Sequence, residues 1–243
     1  MACWILLFGV LLSPRAGEFE EANRSFETGD YAKAISGYRG LLTNGTESAA
    51  VWFNLGNAYF KDGQFGRGIH CYRQARRLEP RDPDIRANLQ FARKEVAGAF
   101  APETATWQNF FRYLSPREWA GLTAIAGFVL FGVLAIRERF ARERTALIWP
   151  VRLAVLFAVV CGVACPVADS IWSDEDAAVV IVKKAEVRYG PLLDSKSAFQ
   201  VKDGEELELL DSKDDWRQVR NTSGQAGWIE AGQILQSGAA IQP

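Results

Sequence analysis

Four patterns of apolar and polar positions follow one another along the chain. Trp4 to Leu12 is a short apolar run closed by Ser13, Pro14 and Arg15. A stretch of helical periodicity follows, in which large side chains recur at spacings of three, four and seven. Trp119 to Ile136 then runs for eighteen residues without a charge, and a second apolar run, Leu147 to Ala168, is interrupted near its start by Pro150 and Arg152. From Ala178 onward apolar and polar residues alternate between Gly, Asp, Ser and Asn turns, the period of half-buried strands.

The first run reads as the core of an export signal over residues 1–16, since it falls far short of the roughly 30 Å of hydrocarbon in a bilayer. No Lys or Arg precedes it, and a buried first helix is the competing reading.

The helical stretch repeats itself. GDYAKAISGY, beginning at Gly29, lies over GQFGRGIHCY, beginning at Gly63, so that Tyr31 meets Phe65, Ile35 meets Ile69 and Tyr38 meets Tyr72. The offset is 34 throughout. The second copy carries Trp52, Leu55-Gly56, Tyr59, Gly68, Tyr72, Ala75 and Pro80, and so resembles the tetratricopeptide repeat (TPR). The large residues share faces of two antiparallel helices, the small ones allow close approach, and Pro80 stops the second helix. Copy one, about 15–48, is degenerate, with Ala22 and Ser25 where copy two has Gly56 and Tyr59. Asp84 to about Ala97 reads as a closing helix. The resemblance implies a partner-binding groove, for which Phe19, Asn23, Phe53, Asn54, Asn57 and Phe60 are the candidates. Asn23 and Asn54 match the asparagine slots of chaperone-type TPRs, but the basic slots hold Phe19, Asp84 and Asn88, so a carboxylate clamp does not carry over. The competing reading packs the three phenylalanines against neighbouring helices.

Eighteen helical residues reach about 27 Å, just enough to cross a bilayer. The two apolar runs are therefore expected to be transmembrane helices, at 119–136 and 147–168; a buried hairpin of a soluble domain is the alternative. Their connection, 137–146, holds Arg137, Arg139, Arg142 and Arg144 against two glutamates, which places it in the cytoplasm and both ends of the chain outside. Ahead of the first span, Trp107, Phe110, Phe111 and Leu114 share one helical face, and 99–118 is read as an interfacial linker helix, with a TPR-capping helix as its rival.

The alternating segment, 178–236, is expected to form five short strands in a small barrel. Val187-Arg188 with Gly190-Pro191, Gly204 before Glu205-Glu206-Leu207, Asp215-Trp216 with Val219, and Gly227-Trp228-Ile229 together resemble the bacterial SH3 domain. That resemblance implies binding of peptides or cell-wall material, with Tyr189, Trp216 and Trp228 as groove candidates. Asp174-Glu175-Asp176, in the 169–177 linker, lacks EF-hand spacing and reads as a solvated tether; 237–243 is a tail.

Composition narrows the chemistry. A net charge of −1 is neither basic nor acidic enough to suggest nucleic acid, and no zinc-finger or RNP-type motif is found. His70 is the sole histidine, which removes most metal and triad chemistry. Cys3, Cys71, Cys161 and Cys165 sit in apolar or helical contexts and form no disulfide framework. Three Asn-x-Ser/Thr sites, at Asn23, Asn44 and Asn221, are taken as chance in a bacterial protein. No nucleophile–base pair, phosphate loop or ligand cluster is found, so no enzyme, cofactor or metal is expected.

The order of parts, export signal, TPR at 17–98, two spans around an arginine loop, and a terminal SH3 module, resembles the BatE proteins of bacterial aerotolerance operons. The fold class expected is thus a multidomain membrane protein: all-α TPR repeat, two transmembrane helices and a C-terminal all-β SH3-like barrel. The resemblance implies an inner-membrane, multi-pass scaffold with both modules in the periplasm. It also implies partners among von Willebrand A-domain membrane proteins and a MoxR-type ATPase system, in a stress-tolerance complex of the cell envelope. Two weak modules tethered to one hairpin would bind by effective concentration. The alternative is a cell-wall sensor whose SH3 module grips peptidoglycan.

Overall fold

The computed structural model describes residues 14–98, 106–139, 148–173 and 178–236. Five helices come first: α1 (Pro14–Glu27), α2 (Tyr31–Thr43), α3 (Ala49–Lys61), α4 (Phe65–Leu78) and α5 (Pro83–Ala97). α1–α2 and α3–α4 are the two repeats, and α5 closes the stack. Helix α1 begins inside the span expected for the leader, of which residues 1–13, with Cys3, lie outside the described residues.

Local chemistry sets the breaks between these helices. Asp30 caps α2 through the Lys33 amide, Ser48 caps α3 through Val51, and Asp82, with Pro83 behind it, caps α5 through the amides of Asp84 and Ile85. Gly29 and Gly63 turn the chain in each repeat at φ of 80° and 78°, a region that costs residues with a Cβ. The core between the pairs is built from Ala34, Tyr38, Leu41, Leu55, Ala58, Tyr59 and Ala75, all buried.

The small-residue contact differs between the copies. In the second, a Cβ on Gly56 would stand 2.8 Å from the ring of Tyr72 and 3.3 Å from the Cβ of Cys71. In the first, the α1 position is Ala22, and the glycine has moved across to α2: a Cβ on Gly37 would stand 2.9 Å from that of Ala22. The degenerate copy therefore keeps its close helix approach with the glycine on the opposite partner.

A short helix, α6 (Thr106–Arg112), leads to two long ones, α7 (Pro116–Arg139) and α8 (Ile148–Ser173). Both are long and apolar enough to cross a membrane, and only 11% and 22% of their apolar windows are buried within the protein. A core helix of a soluble domain would hide most of that surface. They meet through small residues, Ala126, Ala154, Cys161, Ala164 and Ala168, which let the backbones approach. Thr123 links them by donating to the Cys161 carbonyl at 3.2 Å as well as to Trp119 at 2.9 Å. Phe111 and Leu114 pack on this hairpin, whereas Phe110 and Tyr113 face outward, so the aromatic stretch ahead of α7 is divided between two faces. Ser115 and Glu118 form a reciprocal capping box at the start of α7. Arg137 and Arg139 stand in its last turn; Arg142 and Arg144 lie outside the described residues, as do 174–176 and the tail 237–243.

The remaining residues form an antiparallel sheet of seven strands rather than five: β1 (Ala178–Val180), β2 (Lys184–Arg188), β3 (Ser197–Lys202), β4 (Glu206–Lys213), β5 (Trp216–Arg220), β6 (Ala226–Glu230) and β7 (Ile234–Leu235), in the order β3-β2-β6-β5-β4-β1-β7. The apolar run at its start splits because the chain changes partners: β1 pairs with β4 and β7, whereas β2 pairs with β3 and β6. A 3₁₀ turn at Ala231–Gln233 likewise divides β7 from β6. Val187, Val201, Leu207, Val219 and Ile229 fill the interior.

Candidate functional site

The expected TPR groove residues are engaged within the repeat. Tyr38 donates to the Asn23 side-chain oxygen at 2.7 Å, and the Asn54 amide reaches the same oxygen at 3.2 Å. Tyr72 donates to Asn57 at 2.8 Å. Phe19 lies against Tyr38 and Phe53 against Tyr72, with ring centroids 6.0 and 5.9 Å apart. Phe60 stacks between Phe65 and Phe91. Phe91, on α5, is more than half exposed and continues this aromatic row to the surface; its place in the less regular third unit hid it from the repeat pattern.

On the barrel, strand register decides which side chains share a face. Val187, Val219 and Ile229 point inward, so Arg188, Gln218 and Trp228 alternate outward. Trp228 is paired with both Arg188 and Gln218, and Trp216 is paired with Glu230 on the same outward face. The two tryptophans are thus diagonal neighbours, about 7–8 Å apart by strand geometry, and both are half-buried. Tyr189 follows Arg188 at the tip of the β2–β3 hairpin and is 71% exposed, with Leu192 and Leu193 beside it also exposed. Those leucines were not marked by the sequence because they stand in a polar turn rather than in a strand.

A third surface has no forerunner in the sequence reading. Among the described TPR helices, α4 has an N-cap residue, Gln64, that makes no side-chain capping bond. Its first-turn amides are met from the barrel: Phe65 and Gly66 donate to the Asp203 carboxylate at 2.8 and 3.0 Å. Three residues on, Glu206 takes Arg93 of α5 in a two-pronged ion pair at 2.7 and 2.8 Å and Arg73 of α4 at 3.3 Å. Between these polar contacts Val179 of β1 is completely buried in a cluster with Ile69, Tyr72, Leu89, Ala92 and Val96.

The electrostatics follow from burial. Desolvation pushes the Asp203 carboxyl up, against the pull of the amides of Gly66, Phe65 and Gly204 and of Arg67. Desolvation also pushes Glu206 up, but Arg93, Arg73 and Arg76 outweigh it and hold that carboxyl below the ordinary value. Burial lowers Arg73 to about 10 and Arg76 to about 9, and lowers His70 to about 4 with help from Arg73 and Arg77. A link also runs from the repeat to α7. Arg81, in the turn after α4, pairs with Glu118 at 2.7 Å and lies 5.6 Å from the Tyr113 ring centroid. Among the described residues no cluster of His, Cys, Asp and Glu could hold a metal ion.

Comparison with protein families agrees with this geometry. A tetratricopeptide-repeat model matches residues 49–82, and a bacterial SH3 domain model matches residues 182–235. No curated protein matches the chain. Both modules are typically non-catalytic and serve to bind proteins or cell-wall material. The chain therefore combines a TPR repeat, two helices that could span a membrane, and a bacterial SH3 domain.

Proposed function

We propose that this chain is a non-enzymatic, membrane-anchored adaptor that displays its TPR and SH3 faces to partners at the surface of the bacterial inner membrane. The observation that carries this reading is the pairing of two interaction modules with an apolar hairpin whose outer surface the protein leaves largely uncovered. The arginine-rich connection favours a cytoplasmic loop, which puts both modules in the periplasm. Phe91 beside Phe60, and Trp216 with Trp228 and Tyr189, supply the binding surfaces; the asparagines serve mainly to set the groove's shape. The BatE-like order of parts points to von Willebrand A-domain membrane proteins and a MoxR-type ATPase system as partners in an envelope stress-tolerance complex.

Crosslinking in native membranes, followed by gentle-detergent copurification and mass spectrometry, tests this. Recovery of von Willebrand A-domain proteins, lost on Phe91→Ala or Phe60→Ala, supports the adaptor. Recovery of membrane partners of other kinds keeps the adaptor and removes the BatE-type complex.

A second reading, a peptidoglycan-binding sensor, is favoured by the exposed hairpin tip of Tyr189, Leu192 and Leu193 beside the tryptophan face. It requires that solubilised full-length protein sediment with purified wall sacculi and that Trp216→Ala release it.

A further inference from the structure

We propose that the β3–β4 turn, Asp203 to Glu206, is a docking motif for the α4–α5 face of the same chain, so that the barrel closes the solenoid where a further repeat would stack. Repeat and barrel then act as one body rather than as two tethered modules.

Four independent features converge on this. The helix that lacks a cap of its own is the one capped by Asp203, 138 residues later in sequence. A helix N-terminus left without acceptors carries unsatisfied amides, and a carboxylate there also meets the positive end of the helix dipole. Glu206 supplies a carboxylate to Arg73, whose side chain is 4% exposed, and to Arg93. Burying a guanidinium is costly without such a partner.

The apolar seam is equally specific. Val179 belongs to the helical core rather than to the barrel's own interior cluster, although it lies between Ala178 and Val180, which are barrel core. Finally, each side offers a glycine where the other presses in. A Cβ on Gly66 would collide with the Val180 carbonyl and stand 2.7 Å from Asp203. A Cβ on Gly204, which holds φ of 84°, would run into Val96. A repeat of two units plus one helix is marginal alone, because each unit needs a neighbour over its apolar face. The barrel provides that neighbour.

Chain connection favours docking within one molecule. Only residues 174–177 separate α8 from β1, and four residues reach about 14 Å at most. The barrel is therefore confined near the outer end of the hairpin, where Arg81 and Glu118 also fix the repeat.

Hydrogen exchange on the full-length protein in detergent, read by mass spectrometry at two protein concentrations, tests the proposal. Asp203→Ala, and Glu206→Gln from a distance, are each expected to raise exchange at the seam amides of Phe65–Gly66 on the order of tenfold or more, as expected for loss of a hydrogen-bonded charge. The β1 amides, bonded to β4 and β7 inside the barrel, should stay protected. Exchange in α2 should not change. Arg93→Gln combined with Glu206→Gln should be less than the product of the two single effects. Gly66→Ala guards against simple misfolding. Alanine favours helix over glycine, so opening at the seam with β5–β6 still protected points to the collision with Val180 and Asp203. The proposal is overturned if the seam amides do not respond, or if the barrel loosens alone. It is also overturned if protection falls on dilution, which would place the contact between two copies.

Discussion

The hydroxyl of Tyr38 donates to Asn23, and thirty-four residues later that of Tyr72 donates to Asn57, at 2.7 and 2.8 Å. A phenylalanine leans on each tyrosine, Phe19 in one copy and Phe53 in the other. Two copies that differ at many positions thus share a three-residue unit that links the two helices of each pair. Each tyrosine is buried, so its hydroxyl needs a fixed acceptor, and the asparagine four residues after the phenylalanine lies on the same helix face.

Removing one of these hydroxyls should therefore destabilise the repeat. Tyr72→Phe is expected to cost about 1 kcal/mol, a typical figure for one buried hydrogen bond. Tyr38→Phe should cost less, since Asn54 still donates to Asn23. Denaturant titration of the full chain, followed by far-ultraviolet circular dichroism, separates the two.

The shifted glycine makes a sharper test. Gly37→Ala sets two β-carbons 2.9 Å apart and is expected to cost about 1–3 kcal/mol through overpacking. Adding Ala22→Gly should recover most of that loss by moving the glycine back to the helix that carries it in the second copy. If the double variant melts no higher than the single one, the steric account of the first repeat is wrong.

His70 sets a pH window. Its folded pKa, about 4, lies below its ordinary 6.5, so the unfolded chain binds the proton first as the pH falls. Stability is full above 6.5 and declines from there towards pH 4, by at most about 1.4 kcal/mol per unit and about 3 kcal/mol in total. His70→Gln should flatten the slope between pH 6.5 and 5, where carboxylates contribute little. Equal slopes in the two proteins would show that the imidazole is not held neutral.

The membrane reading rests on charge as well as length. Replacing Arg137, Arg139, Arg142 and Arg144 by Ala should turn one orientation into a mixture. Protease added to intact spheroplasts reports it: the barrel of the natural chain is cut from outside, and a substantial fraction of the variant's barrels becomes protected.

Some of this architecture was legible in the chain. The repeat shows itself because Leu55, Gly56, Tyr59 and Tyr72 each answer to one local helix pair, and the apolar helices because their long uncharged runs are visible without any tertiary contact. The seam was hidden because each of its residues has an ordinary local meaning. Asp203-Gly204 reads as a turn, Glu206 as the polar position of a strand, Arg73 as a solvated charge on a helix and Val179 as barrel core. Only the fold joins residues more than a hundred positions apart. The seven strands escaped for a related reason, since Ile181 to Lys183 carries no Gly or Pro to mark where the chain leaves one set of partners for another.

Val179 belongs to the barrel, which is made after the repeat, yet it completes the repeat's core. During synthesis α4 emerges long before Asp203 and Glu206 exist, and both apolar helices must be made before β1 can reach it. Over that interval the face around Ile69 and Val96 is uncovered, a surface that holding chaperones and quality-control proteases recognise. Chains cut short after α8 would keep that face open permanently, so ribosomes that stop there should yield products marked for destruction while chains that carry the barrel escape it.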